Sequence, residues 1–198
     1  IVTYKTNDQI LHECIQSILG KAKILVIENS DDKEFKFKYE NKYPNLEVIL
    51  SGSNLGYGAG NNKGINLVKS RYVLISNPDV IYENDFFNNL KTYIDSNTDF
   101  SIIGPIYRSR DYASHGFFDD LKKDNSNNDT TINKDLIKTH WIVGCTMFVD
   151  LDKFDNKNLF DENFFLFFEE FDLCRRVLNN GGKIFASKIL YVKHLGHK

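Results

Sequence analysis

From Leu46 to Asp79 the chain reads LEVILSGSNLGYGAGNNKGINLVKSRYVLISNPD, and the class of fold turns on this stretch. Leu46 to Leu50 is a short β-branched run that reads as a strand. A glycine-rich passage, Gly56-Tyr57-Gly58-Ala59-Gly60, follows it. Asn62 to Lys69 then reads as a helix, and Tyr72 to Ser76 as a second apolar strand that ends in Asn77-Pro78-Asp79. Strand, glycine-rich loop, helix and strand in that order imply parallel pairing and an α/β sheet.

The same alternation extends to both sides. Ile1 to Tyr4 reads as the end of a strand, and Ile10, Leu11, Cys14, Ile15, Ile18 and Leu19 recur at helical spacing behind a cap at Thr6 or Asp8, with a stop at Gly20. Lys23 to Glu28 is a strand, and a Lys- and Phe-rich connecting segment leads on to Pro44. Beyond Asp79, Glu83 to Ser96 is helical and Phe100 to Ile106 is a strand. From Arg108 to about Lys138 the chain is rich in Asp and Asn with no sustained apolar period, which reads as a long flexible loop. Asp124, Ser126, Asn128 and Asp135 imitate a calcium loop only loosely. Asp129 stands where a glycine should turn the chain and the last ligand is not Glu. Trp141 to Asp150 is strand-like, Phe160 to Phe171 leads into a helix that ends near Gly181-Gly182, and Lys183 to Ala186 and Ile189 to Val192 are two last strand-like runs.

Composition limits the function. With 198 residues, the chain is one domain. Its 25 Lys and Arg against 27 Asp and Glu leave a net charge of −2, so a general attraction to nucleic acid is excluded. The 41% hydrophobic share is enough to bury a core. No apolar run is long enough to cross a bilayer. The opening Ile1-Val2-Thr3-Tyr4 is neither a signal peptide nor a natural initiator, so the chain reads as an excised piece. Cys14, Cys145 and Cys174 are far apart and odd in number, which fits three buried hydrophobes in a reducing cytoplasm.

Open α/β sheets bind ligands outside the carboxyl ends of their strands, so the residues just after each apolar run are the informative ones. Here they are polar: Thr3-Tyr4, Glu28-Asn29-Ser30, Asn54 with the glycines after it, and Asn77-Pro78-Asp79. Pro78 fixes its own φ and holds Asn77 extended, so Asp79 is aimed. One carboxylate there suits magnesium or manganese completed by substrate phosphates. A bland alternative makes Asp79 the cap of the following helix. The glycines offer backbone amides to a phosphate at the start of the Asn62 helix. They also resemble the opening of a dinucleotide fingerprint, although Asn61 replaces the third glycine. Glu169, Glu170 and Asp172 lie at the beginning of a helix among phenylalanines, where a carboxylate raised by desolvation makes a general base. Asp172 and Arg176 are spaced to pair. His194 follows a strand and can ligate a metal or donate to a phosphate.

Taken in order, these pieces resemble family-two glycosyltransferases of the GT-A fold, in the branch that contains bacterial rhamnosyltransferases. Val2-Thr3-Tyr4, Val26 to Ser30, Asn54 to Asn62, Ser76 to Asp79, Gly144 to Met147 and Phe160 to Arg176 each look like one of the family's motifs. The resemblance implies a mostly parallel, Rossmann-like sheet with helices on both faces and a smaller acceptor-side extension. Residues 1–106 would be the nucleotide-sugar half, 107–140 the loop and 141–198 the acceptor and catalytic-base half. It further implies an inverting, metal-dependent transfer of a sugar, with rhamnose favoured, to a glycan or lipid-linked acceptor hydroxyl. Thr3, Tyr4, Glu28, Asn29, Asn54, Gly56, Asn62, Asn77 and Asp79 would bind the nucleotide sugar. Asp79 with His194 would hold the ion, and Glu170, or its neighbour Glu169, would be the base. Trp141, Gly144 and Asp172 would serve the acceptor, and Trp141 and the Phe-rich segment would stack on sugar rings.

The family usually has Asp where this chain has Glu28, and Glu-Asp in place of Glu169-Glu170, so the base here is one methylene longer. A cytoplasmic enzyme at the inner face of the cell membrane, associated peripherally through its acceptor, is the matching expectation. Two other readings stay open at this point: a nucleotide- or glycan-binding module of the same fold without turnover, and a dinucleotide-binding oxidoreductase.

Overall fold

The computed structural model describes residues 1–107 and 134–196. Most of the long polar loop, with the calcium-like residues Asp124, Ser126 and Asn128, lies outside the described residues, as do His115 and His197.

The first layer is built as the alternation dictates. Strands β1 (Val2–Thr3), β2 (Ile24–Glu28) and β3 (Leu46–Leu50) form a parallel sheet in which Thr3 lies opposite Glu28 and Glu28 opposite Leu50. Helix α1 (Asp8–Ile18) connects the first two and buries Leu11, Cys14, Ile15 and Ile18, the face its spacing marked. Its cap is Asn7, between the two candidates, whose side chain accepts from the amides of Gln9 and Ile10. The Lys- and Phe-rich connection is a helix, α2 (Lys33–Lys42), capped by Asp32. Of its residues only Tyr39 is buried, so it carried no apolar stripe to read.

Helix α3 (Tyr57–Leu67) starts five residues earlier than its pattern implied, and the glycine-rich passage forms its first turns. Strand β4 (Tyr72–Ser76) then leaves the expected arrangement. It belongs to a second sheet of six strands, which runs β4, β8 (Thr146–Asp150), β6 (Ile102–Tyr107), β9 (Ile184–His194) and β5 (Val80–Tyr82), with β7 (Leu136–Lys138) also on β9. Among the described residues of this sheet only β6 and β9 pair in parallel, and β4 runs antiparallel to β8. The chain is α/β, with parallel pairing concentrated in the first layer. After Asn77-Pro78-Asp79 the backbone turns directly into β5 without a helix, and β5 pairs with β9 while β4 takes its antiparallel neighbour, β8, from about 70 residues further along the chain. Arg71 fixes the β4–β8 register with a two-pronged bond to the buried Asp150 at 2.9 and 2.7 Å.

Helices α4 (Phe86–Asp95) and α5 (Glu169–Asn179) complete the fold, with α5 burying Leu173, Cys174 and Val177 against Ile65, Ile102, Met147 and Ile184. The two final strand-like runs are one strand of 11 residues, β9. All three cysteines are buried and free, and burial pushes the Cys14 thiol up to about 11 and that of Cys174 to about 12. Among the described residues, no helix is long and apolar enough to cross a membrane.

Candidate functional site

The segment Gly144-Cys145, which enters β8, is where the separate motifs meet. The amide of Asn77 donates to the carbonyl of Cys145 at 2.8 Å, which docks the acidic turn on it. The Tyr57 hydroxyl donates to the carbonyl of Gly144 at 2.5 Å, which docks the start of α3. Glu170 packs against Gly144 so closely that a Cβ there would sit 3.2 Å from the Cβ of Glu170. Three stretches far apart in sequence therefore border one place beyond the end of β4.

Asp79 is followed by β5, not by a helix, so the helix-cap reading fails. Helix α4 begins later, behind Asp85. Pairing of β5 with β9 sets Val80 opposite His194, and the amide of Leu195 donates to the Asp79 carbonyl at 3.0 Å. The His194 Nε2 therefore stands 3.3 Å from Asp79 Oδ2, with side chains 20% and 13% exposed. The hydrogen bond to Asp79, with a further one to Cys145, raises the imidazole to about 10 against the opposing cost of burial. The Asp79 side chain beside it thus favours the protonated form of the imidazole.

Among the described residues, no group of three or more His, Cys, Asp or Glu side chains is gathered to hold a metal. Asp79 and His194 together offer one hard oxygen and one nitrogen. Such a two-donor set fits a divalent ion whose other positions are filled by phosphate oxygens and water, provided the ion displaces the imidazole proton.

At the nucleotide side, Glu28 is buried and both its oxygens accept hydrogen bonds, from Thr3 Oγ1 at 2.7 Å and Ser30 Oγ at 2.6 Å. Asn29 donates to the Gly56 carbonyl at 2.8 Å and, at 3.4 Å, to Asn54, which accepts from the Gly56 amide at 3.1 Å. Tyr4 and Asn54 are exposed. The Asn77 Oδ1 is buried without a hydrogen-bond partner.

The glycines also make room for close packing. A Cβ at Gly58 would meet Phe160 at 3.0 Å, and one at Gly60 would meet Val2 at 2.9 Å, so the side-chain positions of these glycines are filled by neighbouring protein. Gly56 is the most constrained. Its φ of 85° and ψ of −178° lie in a region reserved to glycine, and a Cβ would fall 2.2 Å from the carbonyl oxygen of Phe165. Gly56→Ala is expected to destabilise the chain by at least about 2 kcal/mol, combining backbone strain with overpacking. Urea unfolding checks this, and an unchanged midpoint would show that the Phe165 contact yields freely.

At the acceptor side, Phe167 and Phe168 hold φ of 68° and 71°, a left-handed backbone that bulky residues seldom adopt, immediately before α5. Both rings are exposed, at 69% and 71%, as are those of Phe165 and Phe171. Outliers of this kind gather at functional sites. Trp141 meets Phe171 edge to face, with ring centroids 6.5 Å apart.

Glu169 is buried. Burial raises its carboxyl above the usual range, with Glu170 adding to the effect. Glu170 is half-buried, and each of the two carboxylates keeps one buried oxygen, Oε2, without a hydrogen-bond partner. Asp172 pairs with Arg176 at 2.7 Å as the spacing foretold, and also with Arg175 at 3.2 Å. An open depression of about 590 Å³ lined by Lys21, Lys23, Pro44 and Glu47 lies at the opposite, amino-terminal ends of β2 and β3, away from these groups.

Residues 1–156 match the family described as Glycosyl transferase family 2. The chain belongs to that family. This family-2 chain is 27% identical over 194 residues to the low-salt glycan biosynthesis hexosyltransferase Agl10 of Haloferax volcanii, a match covering 89% of the chain and 59% of Agl10. It is also 27% identical over 195 residues to the rhamnosyltransferase WbbL of Escherichia coli, covering 88% of the chain and 73% of WbbL.

Among solved structures, GalNAc-T7 with UDP, GalNAc and Mn2+ superposes with a TM-score of 0.76 at 14% identity, over 98% of this chain and 42% of that one. The mannosyltransferase PcManGT of Pyrobaculum calidifontis, in complex with GDP-Man and Mn2+, gives 0.72 at 12% identity, over 100% and 56%. These likenesses place the family-2 chain in the GT-A fold. The dinucleotide reading is set aside by the family.

Reading along the chain marked Asn62 but not its partner. Asn62, expected at the nucleotide, has its amide turned to the Phe-rich segment, where its Nδ2 donates to the Phe160 carbonyl at 2.8 Å and its Oδ1 accepts from the Phe160 amide at 3.0 Å. No local pattern carries that pairing, because its partner lies 98 residues away.

Proposed function

We propose that this chain carries the donor site and the catalytic base of an inverting, metal-dependent glycosyltransferase that moves a sugar from a nucleotide diphosphate to an acceptor hydroxyl. The observation that carries the reading is the convergence on Gly144-Cys145 of the Asp79 turn and the Glu170 helix start. It supports reading Asp79 with His194 as the cation-binding pair and Glu170 as the base of one site, as displacement at an anomeric carbon requires.

Asp79 and His194 would hold a manganese or magnesium ion, which supplies charge neutralisation for the departing diphosphate. Thr3, Glu28, Asn29 and Asn54 would frame the base and ribose. Glu170 would take the proton of the acceptor hydroxyl as its oxygen bonds to the anomeric carbon from the face opposite the leaving nucleotide diphosphate. The new glycosidic bond forms as the bond to the diphosphate oxygen breaks. Trp141, Phe165 and Phe171 would offer ring faces to sugars, and Asp172 with Arg176 would brace the helix start.

Rhamnose as the donor sugar is supported by the likeness to WbbL, and a hexose by that to Agl10. A glycan acceptor, lipid-linked and met at the inner face of the membrane, belongs to the same reading. So does the division into a donor half at 1–106, a loop at 107–140 and an acceptor half at 141–198.

Thermal unfolding with UDP, GDP, dTDP, their sugar conjugates and NAD, each with and without manganese, tests the proposal, because a ligand that binds only the folded chain raises Tm. A rise with one nucleotide diphosphate that needs the metal is expected. Stabilisation by NAD alone, or by nucleotides regardless of metal, would overturn it.

A further inference from the structure

We propose that Asn62 is a positioning residue for the acidic start of α5, acting by locking the segment that carries Glu169 and Glu170 onto the donor-side helix α3. The inference rests on the reading of Glu170 as the base. It replaces a nucleotide contact for Asn62 with a mechanical one.

The geometry is that of a clasp. Asn62 is 1% exposed in the middle of α3, and its side chain pairs with both backbone polar groups of Phe160 as a neighbouring β-strand would. Its Nδ2 also donates to Glu162 Oε1 at 3.0 Å. One turn further along, Asn66 donates to Asn158 Oδ1 at 2.7 Å, so two side chains on the same face of α3 grip the same segment. From the other side, Arg176, held by Asp172, donates to the carbonyl of Leu159 at 2.6 Å.

The segment is thus pinned between α3 and α5 just ahead of the two glutamates. A second tie follows it, from the Tyr57 amide to the Phe165 carbonyl at 3.0 Å. Between these ties and α5 the backbone passes through the left-handed residues Phe167 and Phe168. A backbone held in so sparsely populated a conformation persists only when its surroundings fix both ends. The Asn62 clasp, with the Tyr57–Phe165 tie behind it, supplies one of those ends, and catalytic groups misplaced by about 1 Å lose about 100-fold in rate.

Two variants test the proposal. Asn62→Ala removes the clasp. Asn62→Asp keeps the shape and the acceptor for the Phe160 amide but loses both donated bonds, and it serves if the alanine variant does not fold. Each is compared with the unaltered chain for manganese-dependent binding of UDP, GDP and dTDP by calorimetry. Turnover is measured as hydrolysis of UDP-glucose, GDP-mannose or dTDP-rhamnose, whichever the unaltered chain cleaves. Amide hydrogen exchange is followed at Phe160, Phe164 and Asp172.

The expected result is nucleotide affinity within about threefold, kcat lower by about 30- to 100-fold, and faster exchange at those three amides while β4 and β8 exchange as before. A tenfold or greater loss of nucleotide affinity with exchange unchanged would return Asn62 to the nucleotide and overturn the proposal. A lowered Tm with kcat intact would also overturn it, leaving a purely structural residue. If Glu170→Gln keeps full turnover while Asn62→Ala loses it, the base assignment falls and the positioning role stands. If the unaltered chain cleaves no donor, the transferase reading fails and the exchange arm alone decides: faster exchange supports the clasp, unchanged exchange removes it.

Discussion

Glu170→Gln is expected to bind a nucleotide diphosphate as the unaltered chain does, and to transfer sugar about 10²- to 10⁴-fold more slowly, the contribution of a positioned general base. The substitution is nearly isosteric, so the packing of Glu170 against Gly144 survives and the fold is not the variable. What changes is the capacity of one buried oxygen, Oε2, which no side chain or backbone group among the described residues satisfies. An unsatisfied acceptor of this kind costs free energy unless something else pairs with it, and an acceptor hydroxyl is the natural candidate.

Glu169 provides the internal comparison. It lies deeper, and burial raises its carboxyl above the usual range, so Glu169→Gln is the matched change at a neighbouring carboxylate not assigned as the base. Calorimetry for binding and a released-nucleotide assay for turnover separate the two positions. Full activity in Glu170→Gln together with loss in Glu169→Gln would exchange their roles.

Asp79→Ala is expected to abolish the metal dependence of donor binding and to weaken nucleotide diphosphate affinity in manganese by roughly 100-fold or more. The scale follows from the 10- to 100-fold losses seen when residues that only support a metal ligand are removed. Without its carboxylate, His194 would face the diphosphate alone, as a donor in place of a ligand. The chain should remain folded, because Asp79 is tied to β9 through its backbone carbonyl, which the substitution keeps. Titrating manganese into each protein at fixed UDP, GDP or dTDP checks the expectation. A metal-dependent affinity equal to that of the unaltered chain would remove Asp79 from the cation.

Much of this arrangement is legible in the residues themselves. The apolar face of α1, strands β2 to β4 and the acid-rich start of α5 follow from spacing and capping, because each is decided by a dozen neighbouring residues. What escaped is decided at a distance. Helix α2 lacks a stripe, because one aromatic, Tyr39, does most of its burying. Helix α3 begins among glycines of poor helical propensity, because Val2 and Phe160 need the room their missing side chains leave. Strand β5 has three residues and exists through its pairing with the far end of β9. The same holds within the site. Asp79 and Glu170 stand out by their settings along the chain, whereas the Asn62 clasp is visible only once Phe160 has been folded against it.

Strand β9 has a bearing on how the protein is made. It is the strand on which β5, β6 and β7 all pair, and it is the last strand along the described chain. During synthesis the β1–β3 layer can assemble from consecutive pieces as they emerge. The second sheet has to wait for nearly the whole domain, with β4 and β6 exposing unpaired edges in the meantime. Asp79 emerges long before the histidine that completes its pair, so the proposed cation site is among the last features of the nascent chain to form, and contacts this distant in sequence are slow to close.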